Sequence, residues 1–154
     1  MTADSSTSYK YRVNGDRIHL GSLLAEGAER WRGRLVETCR NAGFADVTPT
    51  TCQVLWPLFE EDGLPISEVG HRAGMAKSSM TTIVRGLERS GLVRLEADPA
   101  DHRVKRLWLT PRARDLERAL GDGMTRLRHR VTATLGIQGQ QQLHQNLVRL
   151  LETL

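Results

Sequence analysis

The residues best suited to chemistry cluster between positions 64 and 111, and the chemistry they suit is non-covalent. Read at helical spacing, Met80, Ile83, Val84 and Leu87 fall at i, i+3, i+4 and i+7 and form a core face. The opposite face then carries Lys77, Ser78, Ser79, Thr81, Thr82 and Arg85. All are short or cationic, so that face can enter a nucleic-acid groove, where hydroxyls meet phosphates and thymine methyls. A few residues on, Asp98-Pro99-Ala100-Asp101-His102-Arg103-Val104-Lys105 forms a basic loop between two alternating segments. A helix beside a basic hairpin can fill a major groove and reach the neighbouring minor groove of one duplex.

Other chemistries lack their residues. There is no Gly-rich phosphate loop, no G-x-S-x-G elbow and no Cys/His pairing of catalytic spacing, so the chain does not read as an enzyme. His19, His71, His102, His129 and His144 show no ligand spacing, which argues against a metal site, and no cofactor is implied. Cys39 and Cys52 lie 13 apart without a CxxC partner, signalling neither a disulfide framework nor zinc. Reduced thiols are the expectation. Cys39 has two open readings, a redox sensor or an inert buried thiol, and only Arg40 stands beside it in sequence to lower its pKa.

The elements that must position these residues follow from periodicity and caps. Residues 1–14, polar and rich in Ser and Thr, read as a flexible arm. A helix starting near Asp16 places Leu20, Leu24, Trp31 and Leu35 in a stripe and ends at Asn41-Ala42-Gly43. Thr48-Pro49 caps a second helix over about 49–61, which Pro57 is expected to kink or shorten. Leu64-Pro65-Ile66 reads as an extended link and Ser67 as the cap of a third helix reaching about Ala73. Gly74 turns the chain into the fourth helix, about Ala76 to Ser90, in which Gly86 costs about 1 kcal/mol relative to alanine. A close backbone approach would account for it.

Val93, Leu95, Leu107 and Leu109 alternate with Arg94, Glu96, Arg106 and Trp108, the period of a hairpin with one face on the helices. Thr110-Pro111 repeats the cap-and-proline start and opens a helix of about 24 residues, with a last helix after Gly136. The fold class is therefore mainly α with a small β-hairpin wing, a winged helix-turn-helix plus amphipathic helices at both ends. The expected organisation is a single domain over 15–154, with a DNA-binding lobe at about 48–112. The helices of 15–43 and 111–154 bury their stripes within the protomer or, better, in a homodimer that would read an inverted repeat.

Composition agrees. Residues 66–114 hold ten Lys/Arg against five Asp/Glu, whereas the remainder holds twelve against thirteen, so the basic excess sits on the winged helix. A solvated surface would give the same asymmetry. No apolar run reaches the 18 or so residues of a membrane span and the N-terminus has no secretory core, which points to a soluble, cytoplasmic protein with no membrane partner.

The blocks Leu64 to Val69, Gly74 to Val93, Asp98 to Arg103 and Leu107 to Pro111 resemble the MarR family of bacterial transcription regulators, above all in the D-x-R-x-x-x-L-x-L-T ending. The resemblance implies a homodimeric repressor on double-stranded DNA, released by a small ligand, often an aromatic acid, and sometimes by oxidation. Lys77, Ser78, Ser79, Thr81 and Thr82 match the family's recognition-helix front, Arg103 its minor-groove arginine, and Asp101 the acid that orients wing arginines. Arg85 and Lys105 are phosphate contacts or ordinary surface charges. Ligands of the family lodge between the dimer helices and the DNA-binding lobe, which would involve His19, Trp31 and Trp56, each otherwise a core or cap residue. Ala76 stands where the family often has Asp or Ser, and Thr82 where it often has Arg. A winged helix that binds protein rather than DNA is the alternative suggested by that weaker cationic face.

Overall fold

A computed structural model describes residues 20–154. The expected arm, the helix start near Asp16 and His19 lie outside the described residues. Within them the order is α1 (Leu20–Asn41), α2 (Pro49–Glu60), β1 (Leu64–Pro65), α3 (Ile66–Arg72), α4 (Lys77–Arg89), β2 (Val93–Ala97), β3 (Lys105–Leu109) and α5 (Pro111–Leu151). The helical run of α5 is broken at Gly136, whose φ of 71° and ψ of 169° separate two arms, as the glycine in the sequence suggests.

Both threonine caps form. Thr48 Oγ1 accepts from Thr51 N at 3.1 Å, and Thr48 N returns a bond to Thr51 Oγ1 at 3.3 Å, a reciprocal box. Thr110 Oγ1 accepts from Ala113 N at 3.2 Å while its own hydroxyl donates to the carbonyl of Gly91 at 2.6 Å. This ties the start of α5 to the end of the helix-turn-helix. Pro57 does not end α2, because it stands in the last turn: the helix runs on to Glu60, and Glu61 N still closes on the Pro57 carbonyl at 3.0 Å.

Two local expectations are corrected. Leu64-Pro65 is a strand, not a link, pairing antiparallel with β3 through Leu64↔Leu107 and Pro65↔Arg106, so the hairpin becomes a three-stranded sheet of order β1-β3-β2. The chain passes directly from that strand into α3, which puts Pro65 at the cap position. Ser67 therefore lies inside the helix and caps nothing.

The core gathers Val54, Leu55, Leu58, Val69, Met80, Val84, Leu87, Leu107, Leu116 and Leu120 from five elements. The first turns of α5 thus belong to the winged helix rather than only to an outer arm. Across from them, Gly123 lets α1 approach, since a Cβ there would meet Thr38 Cγ2 at 3.1 Å and Leu35 Cδ2 at 3.3 Å. Val36 and Cys39 are the residues α1 buries. Most of the α1 stripe and of the second arm of α5 is left uncovered: Ile137 is 69% exposed and Leu151 72%.

Candidate nucleic-acid interface

The turn between α3 and α4 is set by two glycines. Gly74 takes φ 64°, and Met75 N reaches the Gly70 carbonyl at 2.8 Å. Gly70 lets α3 lie close on α4, because a Cβ would stand 3.0 Å from Met80 Cγ. Sequence reasoning missed Gly70, whose only signal was a small residue on the inner face of a short helix. Met80, Val84 and Leu87 are buried, and Lys77, Ser78, Ser79, Thr81, Thr82 and Arg85 are all exposed on the other side of α4. Ala76 provides no side-chain cap, leaving the first amides of α4 free of one.

Gly86 has no close neighbour: a Cβ would meet nothing within 4 Å apart from its own helix. The expected backbone approach is therefore absent, and the glycine leaves open space beside a shallow cavity lined by Thr51, Ile83 and Leu92.

The wing pairs in register from Val93↔Leu109 to Ala97↔Lys105. Lys105 is exposed at the start of β3 rather than in the loop. The loop is organised by a buried carboxylate. Asp98 Oδ1 accepts from Ala100 N at 2.7 Å and Asp101 N at 3.3 Å, while Oδ2 accepts from Arg106 Nε at 2.5 Å. Arg106 Nη1 continues to the Gly63 carbonyl at 2.8 Å, joining the wing to the start of β1. The backbone amide of Ala100, then Arg106, hold the Asp98 carboxyl below its usual range.

At the tip, Asp101 Oδ1 accepts from Arg103 N at 3.0 Å and stands 3.5 Å from Arg103 Nε. The Arg103 side chain is 95% exposed. The two residues are thus brought together, with the guanidinium directed into solvent. Neither Asp98 nor Arg106 was singled out as functional from sequence, although Asp before Pro-Ala is itself a side-chain-to-backbone turn signal.

Asp62 is a second joint. Its Oδ1 accepts from Leu109 N at 2.9 Å, and its Oδ2 pairs with Arg114 Nη2 at 2.9 Å, uniting the end of α2, the end of β3 and the start of α5. Glu117, then Asp62, raise the Arg114 pKa further above its already high ordinary value. Beside it Gly63 has φ 74°, and a Cβ would fall 2.5 Å from the Trp108 ring. Arg94 covers that ring at 5.5 Å from its centroid.

A cavity of about 580 Å³ opens between α1 and α2, lined by Leu35, Val36, Cys52, Gln53, Trp56 and Leu120 together with the charged Arg32, Glu60 and Arg72. Trp56 lines it, and its indole donates to Glu60 at 3.1 Å. Trp31 does not: it lines a separate groove with Leu127, Val131, Leu135 and Leu143, between α1 and the arms of α5. The two tryptophans expected in one ligand site are therefore divided. Cys39, expected to have only Arg40 beside it, has its pKa lowered by Cys52 of α2, against the opposing effect of its own burial. Among the described residues no group of three or more His, Cys, Asp or Glu could hold a metal ion, and no helix is long and apolar enough to cross a membrane.

The MarR family profile matches residues 47–105, the segment from the start of α2 to the start of β3. Over this segment the chain is similar to the MarR family. A probable transcriptional regulator from Pseudomonas aeruginosa, 27% identical, superposes with a TM-score of 0.68 over 86% of this chain and 96% of that one. The PcaV transcriptional regulator from Streptomyces coelicolor, also 27% identical, gives 0.66 over 88% and 97%. Among curated proteins, the HTH-type transcriptional regulator TtmR of Methylorubrum extorquens is 38% identical over 64 residues, 42% of this chain. That match spans 33%, about a third, of the length of TtmR. These relatives are named as regulators and not as enzymes. The MarR-family match centres on the winged helix; the wing brace of Asp98 and Arg106 closes just beyond its end.

Proposed function

We propose that this chain is a MarR-type regulator: a cytoplasmic, sequence-specific DNA-binding transcriptional regulator. It acts as a homodimeric repressor on an inverted-repeat operator and is released by a small aromatic ligand. One observation carries the reading: the exposed polar face of α4 stands in the same lobe as a wing whose Arg103 is braced at its base and free at its tip. In this reading Lys77, Ser78, Ser79, Thr81 and Thr82 meet the major groove, and Arg103, oriented by Asp101, enters the minor groove. Arg85 and Lys105 contact phosphates. The winged helix, about 48–112, and its flanking helices form a single domain over 15–154.

Dimerisation is supported by the uncovered apolar surface of α1 and of α5 beyond Gly136, which includes Leu20, Ile137, Leu143 and Leu151. Ligand release is supported by the α1–α2 cavity, whose volume falls in the range of small-molecule sites. Its apolar wall with Trp56 suits an aromatic ring. A relevant precedent is PcaV, which has also been solved in complex with its natural ligand.

The test is binding of the purified protein to genomic fragments, followed by footprinting. A protected inverted repeat is expected, with affinity that falls steeply as salt rises. Absence of binding to any fragment, together with retention of a protein partner in a pull-down, overturns this reading in favour of a protein-interaction module.

A further inference from the structure

Of the seven arginines between positions 48 and 112, five have a carboxylate within reach. Arg72 pairs with Glu68 and Glu61, Arg94 with Glu96, Arg103 with Asp101, Arg106 with Asp98 and Arg112 with Asp46. Arg85 and Arg89 make no ion pair among the described residues. Both are exposed, and both stand on α4. Glu88 adjoins Arg89 in sequence but is turned about 100° away around the helix.

The two unpaired guanidiniums are also aligned. Ser78, Thr82, Arg85 and Arg89 follow one another at spacings of four, three and four, the period of one helix face, while Met80, Val84 and Leu87 are buried on the opposite one. The hydroxyl face is thus continued by cations toward the C-terminal end of α4. Arg89 Nε donates to the Arg85 carbonyl at 3.4 Å, which draws the side chain back along that face and leaves its Nη groups without a partner among the described residues. Like charges four apart on a helix repel, and an anion set between them removes that cost. A cation in the last turn offsets the helix dipole, a role Arg89 can fill; Arg85 lies a turn earlier, where the dipole gives it little.

We propose that Arg89, acting with Arg85, grips adjacent phosphates of the DNA backbone at the edge of the major groove that α4 enters.

The grip presupposes the DNA-binding function proposed above. A recognition helix turns its N-terminal residues to base edges, here Ser78, Ser79 and Thr82. Arg89 stands eleven residues beyond Ser78, about 16 Å along the helix, against a groove about 12 Å wide. The end of the face therefore meets the sugar-phosphate wall. There the planar fork of a guanidinium matches two phosphate oxygens with parallel N–H bonds. Such a contact carries no sequence information, so Arg89 supplies affinity and its dependence on salt, whereas the hydroxyls supply discrimination.

The test compares wild type with Arg89→Ala, Arg89→Gln and Arg89→Lys on the footprinted operator and on an unrelated duplex of equal length, over a series of salt concentrations, with thermal unfolding run in parallel. Arg89→Ala and Arg89→Gln are expected to weaken binding to both duplexes by a similar factor, about fivefold or more near 0.1 M salt. The slope of log affinity against log salt should fall by about 1 for each protomer bound. Arg89→Lys keeps the charge and should keep the slope. Gln retains a donor for the Arg85 carbonyl, so it decides should Ala disturb the end of the helix. Replacing operator phosphates one at a time by uncharged methylphosphonates should reveal links whose neutralisation weakens wild type but not Arg89→Ala.

An unchanged salt slope in both neutral variants overturns the proposal. So does a loss confined to the operator, the mark of a base contact, or a scan in which wild type and Arg89→Ala lose affinity at the same links. In each of those cases wild type still binds, and the proposed function stands. Wild type that binds neither duplex removes that function and the grip with it.

Discussion

The carboxylate of Asp98 receives Nε of Arg106 at 2.5 Å, and this pair is the brace of the wing. Asp98 orders the loop with its other oxygen, and Arg106 fastens the pair to Gly63 at the base of the sheet. Four links therefore lead from the body of the fold to the tip, through Gly63, Arg106, Asp98, Asp101 and Arg103.

Acid is expected to loosen this brace. Asp98 is held below its usual pKa in the folded chain, so its contribution is fully present above the unfolded value of about 4 and is lost as pH falls through the lower folded value. Urea unfolding of wild type and Asp98→Asn should differ at pH 7 and converge as the pH drops well below 4. Equal differences at both ends would contradict the assignment.

Arg106 touches no DNA in the proposed complex, yet Arg106→Ala should weaken operator binding. Arg103→Ala should cost ~1–3 kcal/mol of binding, and adding Arg106→Ala to it should cost less than the sum of the two single changes. A double-mutant cycle read by fluorescence anisotropy checks this. Strict additivity would show that Arg106 acts independently of the tip.

Two glycines should respond with opposite signs. Gly63→Ala combines a φ of 74° with a Cβ only 2.5 Å from the Trp108 ring, and should destabilise by at least about 1–3 kcal/mol. Its unfolding midpoint and the Trp emission near the sheet are the measurements.

Gly86→Ala, by contrast, meets open space in mid-helix and should stabilise by about 0.5–1 kcal/mol, with DNA affinity unchanged. Loss of stability would reveal a neighbour that the fold of the protomer does not supply, such as DNA or a second copy.

The uncovered arm can be tested with charge. Leu151→Glu alters a residue that is 72% exposed in the protomer, so an isolated chain should tolerate it within about 0.5 kcal/mol. If a second copy covers the arm, the same change should shift the mass measured by sedimentation from dimer to monomer.

Most of the architecture was legible because it is local. Thr48-Pro49 and Thr110-Pro111 announce their helices through bonds made within three residues, and the alternation of Val93 to Ala97 with Lys105 to Leu109 displays the wing. Leu64-Pro65 was not legible as a strand, since two residues carry no period and their partner stands more than forty positions away in β3. The same distance hid Asp62 and Arg114, and Arg106 and Gly63. Trp31 and Trp56 were grouped by the ligand position that the resemblance implies, but they line different cavities in the protomer. Side-chain exposure on α4 followed from periodicity alone, because Met80, Val84 and Leu87 leave the opposite face no option.

The joint at Asp62 and Thr110 makes the wing and α5 one mechanical part. The straight run of α5 before Gly136 is roughly 37 Å long at about 1.5 Å per residue. Tilting that lever by about 5° carries its end roughly 3 Å, close to the ~3.4 Å step between base pairs. In a dimer joined through the far arms, the angle at which two copies meet is therefore geared to the spacing of their wings, one base pair for a few degrees of tilt.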